Sequence, residues 1–411
     1  MQKKIVALAV AGLSTAAFAQ TNVTIYGVAD VSGQGINYSK VKNPITAGVD
    51  GGNTFAIQSN SSLIGFKGTE DLGNGLKALF QAETELNLAG NRNADNGTTG
   101  TGTMVQTKTS TFINARDSFV GVSSKYGTGL AGYISTPFRS SLTSFDVMPG
   151  AAGVSQIDVM MGSMRLAGAT GFSSSLRGSA VAYAMPTMYG FDASIAYAGS
   201  NLNGGNNTMP VTGCSTTSAC SITPTSAFGF NLGWTGYGVN IKGAFQQANN
   251  SIANDTLGLN ANQIGDYTSY LVGAMYTGVQ NLKLSTVYVR NTLGTNGANF
   301  LTNTGAGKIS NNQLFAGASY RMGNWEPAVS AVWSSDMDGS SVQQLGSRQW
   351  TARVGYYLSK RTQVYGNLSN LNNSANQGYQ FGAQTSALGS PTNGSLGGNL
   401  FTYGAGMRTT F

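Results

Sequence analysis

The feature that most constrains this chain is a recurring run of about ten residues in which apolar residues alternate with polar or small ones. In "RQWTARVGYYLSKR", Trp350, Ala352 and Val354 fall on one face, whereas Thr351 and Arg353 fall on the other. Because successive side chains of a strand point to opposite faces, this period of two predicts half-buried β-strands. The stretches "GLKALFQAETEL" and "WEPAVSAVWSS" follow the same pattern.

Connections between these runs alternate in length. Short turns such as "LGNG" and "KYGTG" are followed by long polar loops such as 87–111 and 199–226. Short turns on one side and long loops on the other are typical of a transmembrane β-barrel. We count about sixteen strands, centred near residues 30, 66, 81, 118, 132, 181, 195, 232, 243, 272, 286, 318, 331, 354, 367 and 406. The predicted fold class is therefore all-β, a 16-stranded antiparallel transmembrane barrel formed by one domain, residues 20–411.

Composition supports a barrel in lipid over the alternative, a soluble all-β sandwich or solenoid. The chain has 57 glycines and only 9% charged residues. A sandwich exposes its polar face to water and normally carries many charges there. In this chain the polar face is mostly Gly, Ser, Asn and Thr, and Trp and Tyr stand near strand ends, where they are expected at a lipid interface.

The N-terminus predicts export. Lys3 and Lys4 precede an apolar run from Ile5 to Leu13, and Ala17-Phe18-Ala19 resembles a cleavage site, so residues 1–19 are predicted to be a cleaved signal peptide. Removing two lysines leaves 23 − 2 = 21 basic against 16 acidic residues, a charge of +5. No run of five like charges occurs, so a nucleic-acid partner is not expected.

The sequence offers no catalytic constellation. It contains no histidine, which removes Ser-His chemistry and the commonest metal ligand. We therefore predict neither an enzyme, a cofactor nor a metal site. Cys214 and Cys220 stand in the Ser/Thr-rich loop "VTGCSTTSACSIT". In an exported protein a local disulfide is the favoured interpretation of such a pair, and a metal or redox pair is the alternative.

Four blocks resemble the general porins of β-proteobacteria, of the Neisseria, Burkholderia and Comamonas type: "VTIYGVADVSG", "SSLIGFKGTEDLGNGLKALFQAE", "NARDSFVGVSSKYGT" and "FTYGAGMRTTF". The resemblance covers the whole mature chain. It implies a homotrimer of 16-stranded barrels in the outer membrane of a Gram-negative cell. It also implies a third long loop that folds into the lumen, here about residues 136–172, which Phe138, Phe145 and Val147 would pack against the wall.

Strand parity predicts which charges face the lumen. The inward basic residues are Lys67, Lys77, Lys242, Lys283, Arg321, Arg353 and Arg408, and the inward acidic residues are Asp30, Glu83 and Glu85. Arg116 falls on the face of Val120 and Val122, but the resemblance favours the lumen, and a β-bulge would reconcile the two. On the constriction loop the candidates are Arg139, Asp146 and Asp158. Tyr133 stands where the family often has an arginine, which predicts an altered pore position.

These observations predict a porin for passive diffusion of ions and small hydrophilic solutes. We expect it to prefer anions, but more weakly than relatives that keep the arginine, because Tyr133 replaces a basic residue. A substrate-specific channel and a surface adhesin are the alternatives. Phe411 is predicted to be the last lipid-facing residue of a closing strand that pairs with the first strand near residues 23–31. The resemblance implies that this terminal aromatic is also the signal recognised by the outer-membrane assembly machinery.

Overall fold

A computed structural model gives the structure of residues 22–39, 43–44, 51–89, 112–148, 161, 163–164, 172–202, 226–249, 264–295, 307–379, 381 and 395–411. Within these residues no helix is long and apolar enough to cross a membrane. The predicted signal peptide, Cys214, Cys220 and Asp158 lie outside the described residues.

The described residues form twenty-two strand segments and one short helix. Their bounds are β1 Asn22–Tyr38, β2 Asn43–Pro44, β3 Gly52–Ser59, β4 Leu63–Gly73, β5 Leu76–Leu86, β6 Phe112–Ala115, β7 Ser118–Ser124, β8 Gly127–Ser135, α1 Pro137–Thr143, β9 Ser163–Met164, β10 Phe172–Ser173, β11 Arg177–Ala184, β12 Phe191–Leu202, β13 Ser226–Gly236, β14 Val239–Asn249, β15 Ile264–Tyr276, β16 Leu282–Thr295, β17 Gly307–Tyr320, β18 Trp325–Ser334, β19 Ser347–Tyr357, β20 Thr362–Asn373, β21 Ser395–Leu396 and β22 Asn399–Thr410.

Eighteen of these segments form one closed antiparallel sheet. β3 and β4 both pair with β1, and β6 and β7 both pair with β5, so each of these two pairs is a single interrupted strand. Eighteen segments minus two gives a barrel of sixteen strands. The predicted fold class is confirmed, and each of the sixteen predicted strand centres falls within a separate barrel strand.

The barrel closes where the two ends of the described chain meet. β22 pairs antiparallel with β1 from Val28 to Tyr38, and the N–H groups of Gly27 and Phe411 each donate to the other's carbonyl oxygen at 3.1 Å. The pairing of the closing strand with the first strand is thus as predicted, although it extends further along β1 than residue 31. Residues 22–26 of β1, before this pairing begins, pair only with β4. β22 is paired on both sides, with β20 and with β1, so the closing strand is not an open sheet edge.

The two faces of the wall differ as the alternation predicts. On β16, Leu284 and Tyr288 are more than 40% exposed on the outside (42% and 43%), whereas Val287 and Val289 are fully buried inside. At one end of the barrel the strands are joined by tight turns, of which Tyr237–Gly238 is an example. Both of its residues have positive φ, 51° and 75°, as a two-residue hairpin turn requires. We call this the short-turn end, and the opposite end the long-loop end.

The largest apolar cluster lies inside the barrel. It joins Phe138, Leu142, Phe145 and Val147 of the segment after β8 to inward residues of the far wall such as Phe315. Each of these side chains is at most 1% exposed. Full burial of one such side chain contributes roughly 1.5–3 kcal/mol, so this cluster holds the loop against the wall. A loop folded into the lumen is therefore confirmed over its described part, and Phe138, Phe145 and Val147 pack it as predicted.

Candidate functional site

The candidate site is the inner wall of the barrel with the segments that fold into it. Cross-strand partners share a face, and the exposed apolar residues mark the outer one. The register therefore assigns these predicted residues to the inner face: Lys67, Lys77, Lys242, Lys283, Arg321, Arg353 and Arg408, with Asp30, Glu83 and Glu85. Arg321 directly follows β17, near the short-turn end.

Three of the inward basic groups lie over tyrosine rings. The Arg321 guanidinium lies 3.9 Å from the centroid of Tyr357, and the Arg353 guanidinium lies 4.3 Å from that of Tyr365. The Lys67 ammonium lies 4.9 Å from the centroid of Tyr26. A cation over an aromatic face is attracted by the ring quadrupole. These tyrosines therefore orient the cations against the wall instead of leaving them free in the lumen.

Two inner-face glycines let tyrosine rings lie flat against the wall. A Cβ built on Gly65 would lie 2.5 Å from the Tyr26 ring, and one on Gly406 would lie 2.6 Å from the Tyr365 ring. Any larger residue would push these rings into the lumen. The glycines thus fix the platforms on which Lys67 and Arg353 rest.

A second group of inward charges is paired. Asp30 is fully buried and accepts hydrogen bonds from Tyr365 Oη at 2.6 Å and from Asn60 Nδ2 at 3.1 Å. Arg408 Nη1 lies 3.2 Å from Asp30 Oδ2. A buried carboxylate is tolerated only when it is both paired and hydrogen-bonded, and Asp30 is. It therefore joins β1 to β20 and β22 across the closure.

Arg116 lies in the one-residue irregularity between β6 and β7. Thr84 pairs with Ala115 but Gln81 pairs with Phe119, so one extra residue stands on the side of Arg116 and Asp117. This is the geometry of a β-bulge. The Arg116 N–H donates to the Glu83 carbonyl oxygen at 3.0 Å, and Arg116 Nε lies 3.7 Å from Glu83 Oε2. The bulge thus puts Arg116 beside an inward carboxylate.

The constriction loop begins with α1, which the sequence analysis did not predict. The Thr136 hydroxyl caps the helix by accepting from the Arg139 N–H at 3.4 Å, and Pro137 occupies the first turn. Asn231 Nδ2 of the wall donates to Ser141 Oγ at 3.1 Å. The Thr-Pro pair is a recognisable helix start, so "TPFRSSLT" contained a signal for this helix.

The predicted loop charges have local partners. Arg139 Nη1 donates to Ser175 Oγ at 2.6 Å and to the Ser175 carbonyl oxygen at 3.1 Å. Asp146 Oδ1 accepts from the Met148 N–H at 2.8 Å. Further along, Ser285 Oγ of the wall donates to the Phe145 carbonyl oxygen at 2.7 Å. Arg139 thus ties the helix to the segment before β11, and Asp146 shapes the turn that follows Phe145.

A second inserted segment, which the sequence analysis missed, follows β20. We call residues 374–379 with Phe381 the mouth segment. Tyr379 is 1% exposed and Phe381 is fully buried, and both belong to the cluster that contains Phe138 and Phe145. Gln313 Nε2 of the wall donates to Tyr379 Oη at 3.3 Å. The lumen is therefore narrowed by two segments that share one apolar cluster.

The prediction for Tyr133 requires correction. Tyr133 pairs with Ser118 and Ser179, which share a face with Val181, a residue 59% exposed on the outside. The neighbouring Ile134 is buried among inward residues. The register therefore puts Tyr133 on the outer face and not in the pore wall. Tyr133 therefore gives no reason to expect a weakened preference for anions.

Two ion pairs lie beyond the predicted set. Lys242 Nζ lies 3.3 Å from Asp192 Oδ2, and Arg177 Nε lies 2.7 Å from Asp117 Oδ1. Asp192 follows the outward-facing Phe191 at the start of β12, so the alternation of faces along the strand predicts that Asp192 faces inward. Over the described ranges, no cluster of three or more Asp, Glu, His or Cys side chains is arranged to hold a metal ion.

Comparison with known proteins identifies the family. The model of the Gram-negative porin family matches residues 6–376. The chain belongs to the Gram-negative porin family. Its place in this family of outer-membrane channel proteins puts the porin in the outer membrane, and it supports a channel over an enzyme.

Relatives and solved structures agree with this assignment. The porin is 30% identical over 206 residues to the major outer membrane protein P.IB of Neisseria lactamica, covering 50% of this chain and 52% of the relative. It is 31% identical over 201 residues to outer membrane porin protein 32 of Delftia acidovorans, covering 48% and 50%. The matches thus span about half the length of these relatives. The fold is similar to an anion-selective porin from Comamonas acidovorans, with a TM-score of 0.65, 22% identity and coverage of 95% of this chain and all (100%) of that one.

Proposed function

We propose that this porin forms a water-filled channel for passive diffusion of ions and small hydrophilic solutes, and that it prefers anions. The observation that carries the preference is the surplus of basic charge on the inner face. Among the described residues, Lys67, Lys77, Lys283, Arg321 and Arg353 have no carboxylate within ion-pair distance. A narrow channel with walls of low dielectric focuses such a field and enriches the lumen in counter-ions.

The charged residues of the inner wall contribute unequally to this channel. We call Arg353, Arg321 and Lys67, each over a tyrosine ring, the basic track of the inner wall. Lys67 is exposed and Arg321 is half-buried, whereas Arg353 is only 3% exposed. Arg408 with Asp30, Arg116 with Glu83, and Lys242 with Asp192 are paired and add less net field. The range of ions that pass would then be set by the unpaired group together with the two segments that narrow the lumen.

Reversal potentials in a salt gradient across a planar bilayer test this proposal. We expect single channels to conduct ohmically, without saturation, and the zero-current potential to have the sign of anion permeation. Preference for cations would contradict the assignment of the unpaired basic track. Absence of channels from folded protein would contradict the pore itself, and would favour the surface adhesin.

A substrate-specific channel remains the second candidate, and the three cation–tyrosine stacks favour it. An arginine fixed on an aromatic platform presents its donors in a defined direction, as binding of a carboxylate requires. Block of the single-channel current by millimolar concentrations of a small carboxylate would support this candidate. Unchanged current at the same ionic strength would leave general diffusion as the function.

We further propose that the mature porin begins after residue 19, that it assembles as a homotrimer, and that Phe411 is the residue recognised by the assembly machinery. Its ring is 49% exposed on the outer face, so the side chain is accessible at the end of β22. The long 136–172 loop acts as the constriction loop in this proposal. A disulfide between Cys214 and Cys220 is part of it, and mass spectrometry of a non-reduced peptide digest would test that bond.

A further inference from the structure

The tyrosine rings that carry a cation on the inner wall also donate their hydroxyl groups to carboxylates. The three sets of carboxylate, tyrosine and cation are Glu83, Tyr26 and Lys67; Asp30, Tyr365 and Arg353; and Glu326, Tyr357 and Arg321. The distance from hydroxyl to carboxylate oxygen is 2.7 Å at Tyr26 and 2.6 Å at Tyr365. The same arrangement thus occurs three times in the described part of the wall, and we call each set a platform unit.

In each platform unit the carboxylate binds the tyrosine and not the cation above the ring. Among the described residues, none of these carboxylates forms an ion pair with the cation of its own unit. An ionised carboxylate only accepts hydrogen bonds, so it fixes the direction of the tyrosine hydroxyl and holds the ring at its tip. Donation to a carboxylate also polarises the phenol toward its ring, which strengthens the attraction of the ring for a cation. The acid therefore supports the position of the cation without neutralising it by direct contact.

Glu326 shows this role most clearly, because no cation competes for its carboxylate. The carboxylates of the other two units also bind arginines, Arg408 and Arg116. Glu326, half-buried on the inner face of β18, forms no ion pair within the described part of the chain. An acid without a basic partner opposes, by its charge alone, the enrichment of anions beside a basic wall. Its hydrogen bonds, rather than its charge, therefore suit it to this wall.

Glu326 also reaches a second cation, through Gln363. Gln363 Nε2 donates to Glu326 Oε2 at 3.3 Å, and Arg353 Nη2 donates to Gln363 Oε1 at 2.7 Å. A carboxylate that only accepts on one side and a guanidinium that only donates on the other leave the amide a single orientation. Gln363 is 4% exposed, and its amide lies against Gly355, where an added Cβ would come within 2.1 Å of Nε2. One carboxylate thus acts on the cations of two platform units.

We propose that Glu326 is a positioning residue of the proposed channel, on whose existence this role rests. Its carboxylate holds Arg321 and Arg353 against the wall, where they act on permeating ions without extending into the ion path. The carboxylates of Asp30 and Glu83 act likewise in their own units. A guanidinium released from its platform would move through the lumen, because a long side chain regains its rotamers when its contacts are lost. Loss of Glu326 should therefore appear as obstruction and fluctuation of the current, and not only as a change of selectivity.

Two substitutions of Glu326 separate its charge from its hydrogen bonds. E326Q removes the charge but keeps an oxygen that accepts from Tyr357 and Gln363, whereas E326A removes both. In planar bilayers with potassium chloride, we expect E326Q to keep the conductance and current noise of the wild type, with the reversal potential moved toward anion permeation. E326A loses the same charge, but its current noise should rise several-fold and its conductance should fall. Equal noise and equal conductance in the two variants would overturn the positioning role.

Two further variants test the hydrogen bonds without changing Glu326. Y357F keeps the ring under Arg321 but removes the hydroxyl, and G355A displaces the Gln363 amide, so both should raise the current noise. The matched control G366A adds a Cβ on the outer face of the adjoining strand, where the nearest atom lies at 3.8 Å, and should behave as the wild type. Wild-type noise in Y357F would overturn the role of Glu326, and Y357F decides alone if G355A fails to assemble.

The role of Glu326 and the ion preference of the channel are tested by different readouts. Current noise and conductance do not depend on the sign of the reversal potential, so the comparison of E326A with E326Q holds in a channel of either preference. A wild type that prefers cations would contradict the proposed anion preference alone. Wild-type noise and conductance in E326A would contradict the positioning role alone.

Discussion

The inner and outer faces of the same strands carry different chemistry. On β22, Arg408 points inward to the buried Asp30, whereas Tyr403 and Met407 are half exposed on the outside, at 50% and 49%. Inside, arginines lie on tyrosine rings and hydrogen bonds run between side chains. Outside, aromatic and aliphatic residues face lipid, and the charged groups Arg290 and Arg348 stand toward the long-loop end. Alternate residues of the same strand are therefore suited to two environments, lipid outside the wall and the lumen inside it.

The difference teaches that a residue's face decides which property its substitution changes. Outer-face changes should alter delivery, insertion and lipid contact while leaving conduction intact. Inner-face changes should alter conduction while leaving assembly intact. Any variant that changes both properties together would weaken this separation.

The largest effect is expected at the C-terminus. Deleting Phe411 removes an outer-face ring that lies over Gly27 and the last pair of backbone hydrogen bonds at the closure. We expect at least a several-fold loss of heat-modifiable barrel in the outer membrane, because closure uses this residue and, in our proposal, delivery by the assembly machinery uses it too. The conservative variant F411Y should assemble nearly normally. Conductance of the few deletion channels that insert should equal that of the wild type, and full assembly of the deletion would contradict this role.

Reversal of inner-face charge should give the next largest effect. R321E and K67E place carboxylates on the inner face, at a half-buried and an exposed position, and neither Arg321 nor Lys67 has an ion-pair partner among the described residues. Because the field of the wall acts on the permeating ions, the anion-to-cation permeability ratio should fall several-fold when both changes are combined. The matched control K360E changes a charge in a short turn outside the lumen and should shift the reversal potential far less. Equal shifts in both would show that selectivity is not set by the wall.

The sequence predicted the barrel well because its information is local. Alternation is a property of each strand, and it located sixteen strands and the facing of residues such as Arg353 without any long-range knowledge. The mouth segment was missed because burial of Tyr379 and Phe381 depends on contacts with β17 and the constriction loop, distant in sequence. Tyr133 was misplaced because the family comparison supplied a residue type at that position, whereas the register around Ile134 decides its face.

The packing of the constriction loop offers an intermediate effect. Phe145 is fully buried and contacts Gly273 of the inner wall, where no larger residue fits. F145A should loosen the loop, since truncating a buried phenylalanine typically costs about 3–5 kcal/mol. We expect higher single-channel conductance with more current noise, measured in a planar bilayer. F230A removes a ring that is 44% exposed on the outer face, and it should leave conductance unchanged; a similar rise in F230A would refute the loop assignment.

The smallest effect is expected from the mouth segment, and it tests whether the two inserts act together. Y379F removes the hydroxyl that accepts from Gln313 Nε2 but keeps the ring in the cluster. A single neutral hydrogen bond contributes only about 0.5–1.5 kcal/mol, so conductance should rise slightly and less than in F145A. If the mouth segment and the constriction loop form one packing unit, Y379A should raise conductance more than Y379F. The double variant Y379A/F145A should then raise conductance by less than the sum of the two single effects. Strict additivity would show instead that the mouth segment and the constriction loop narrow the lumen independently.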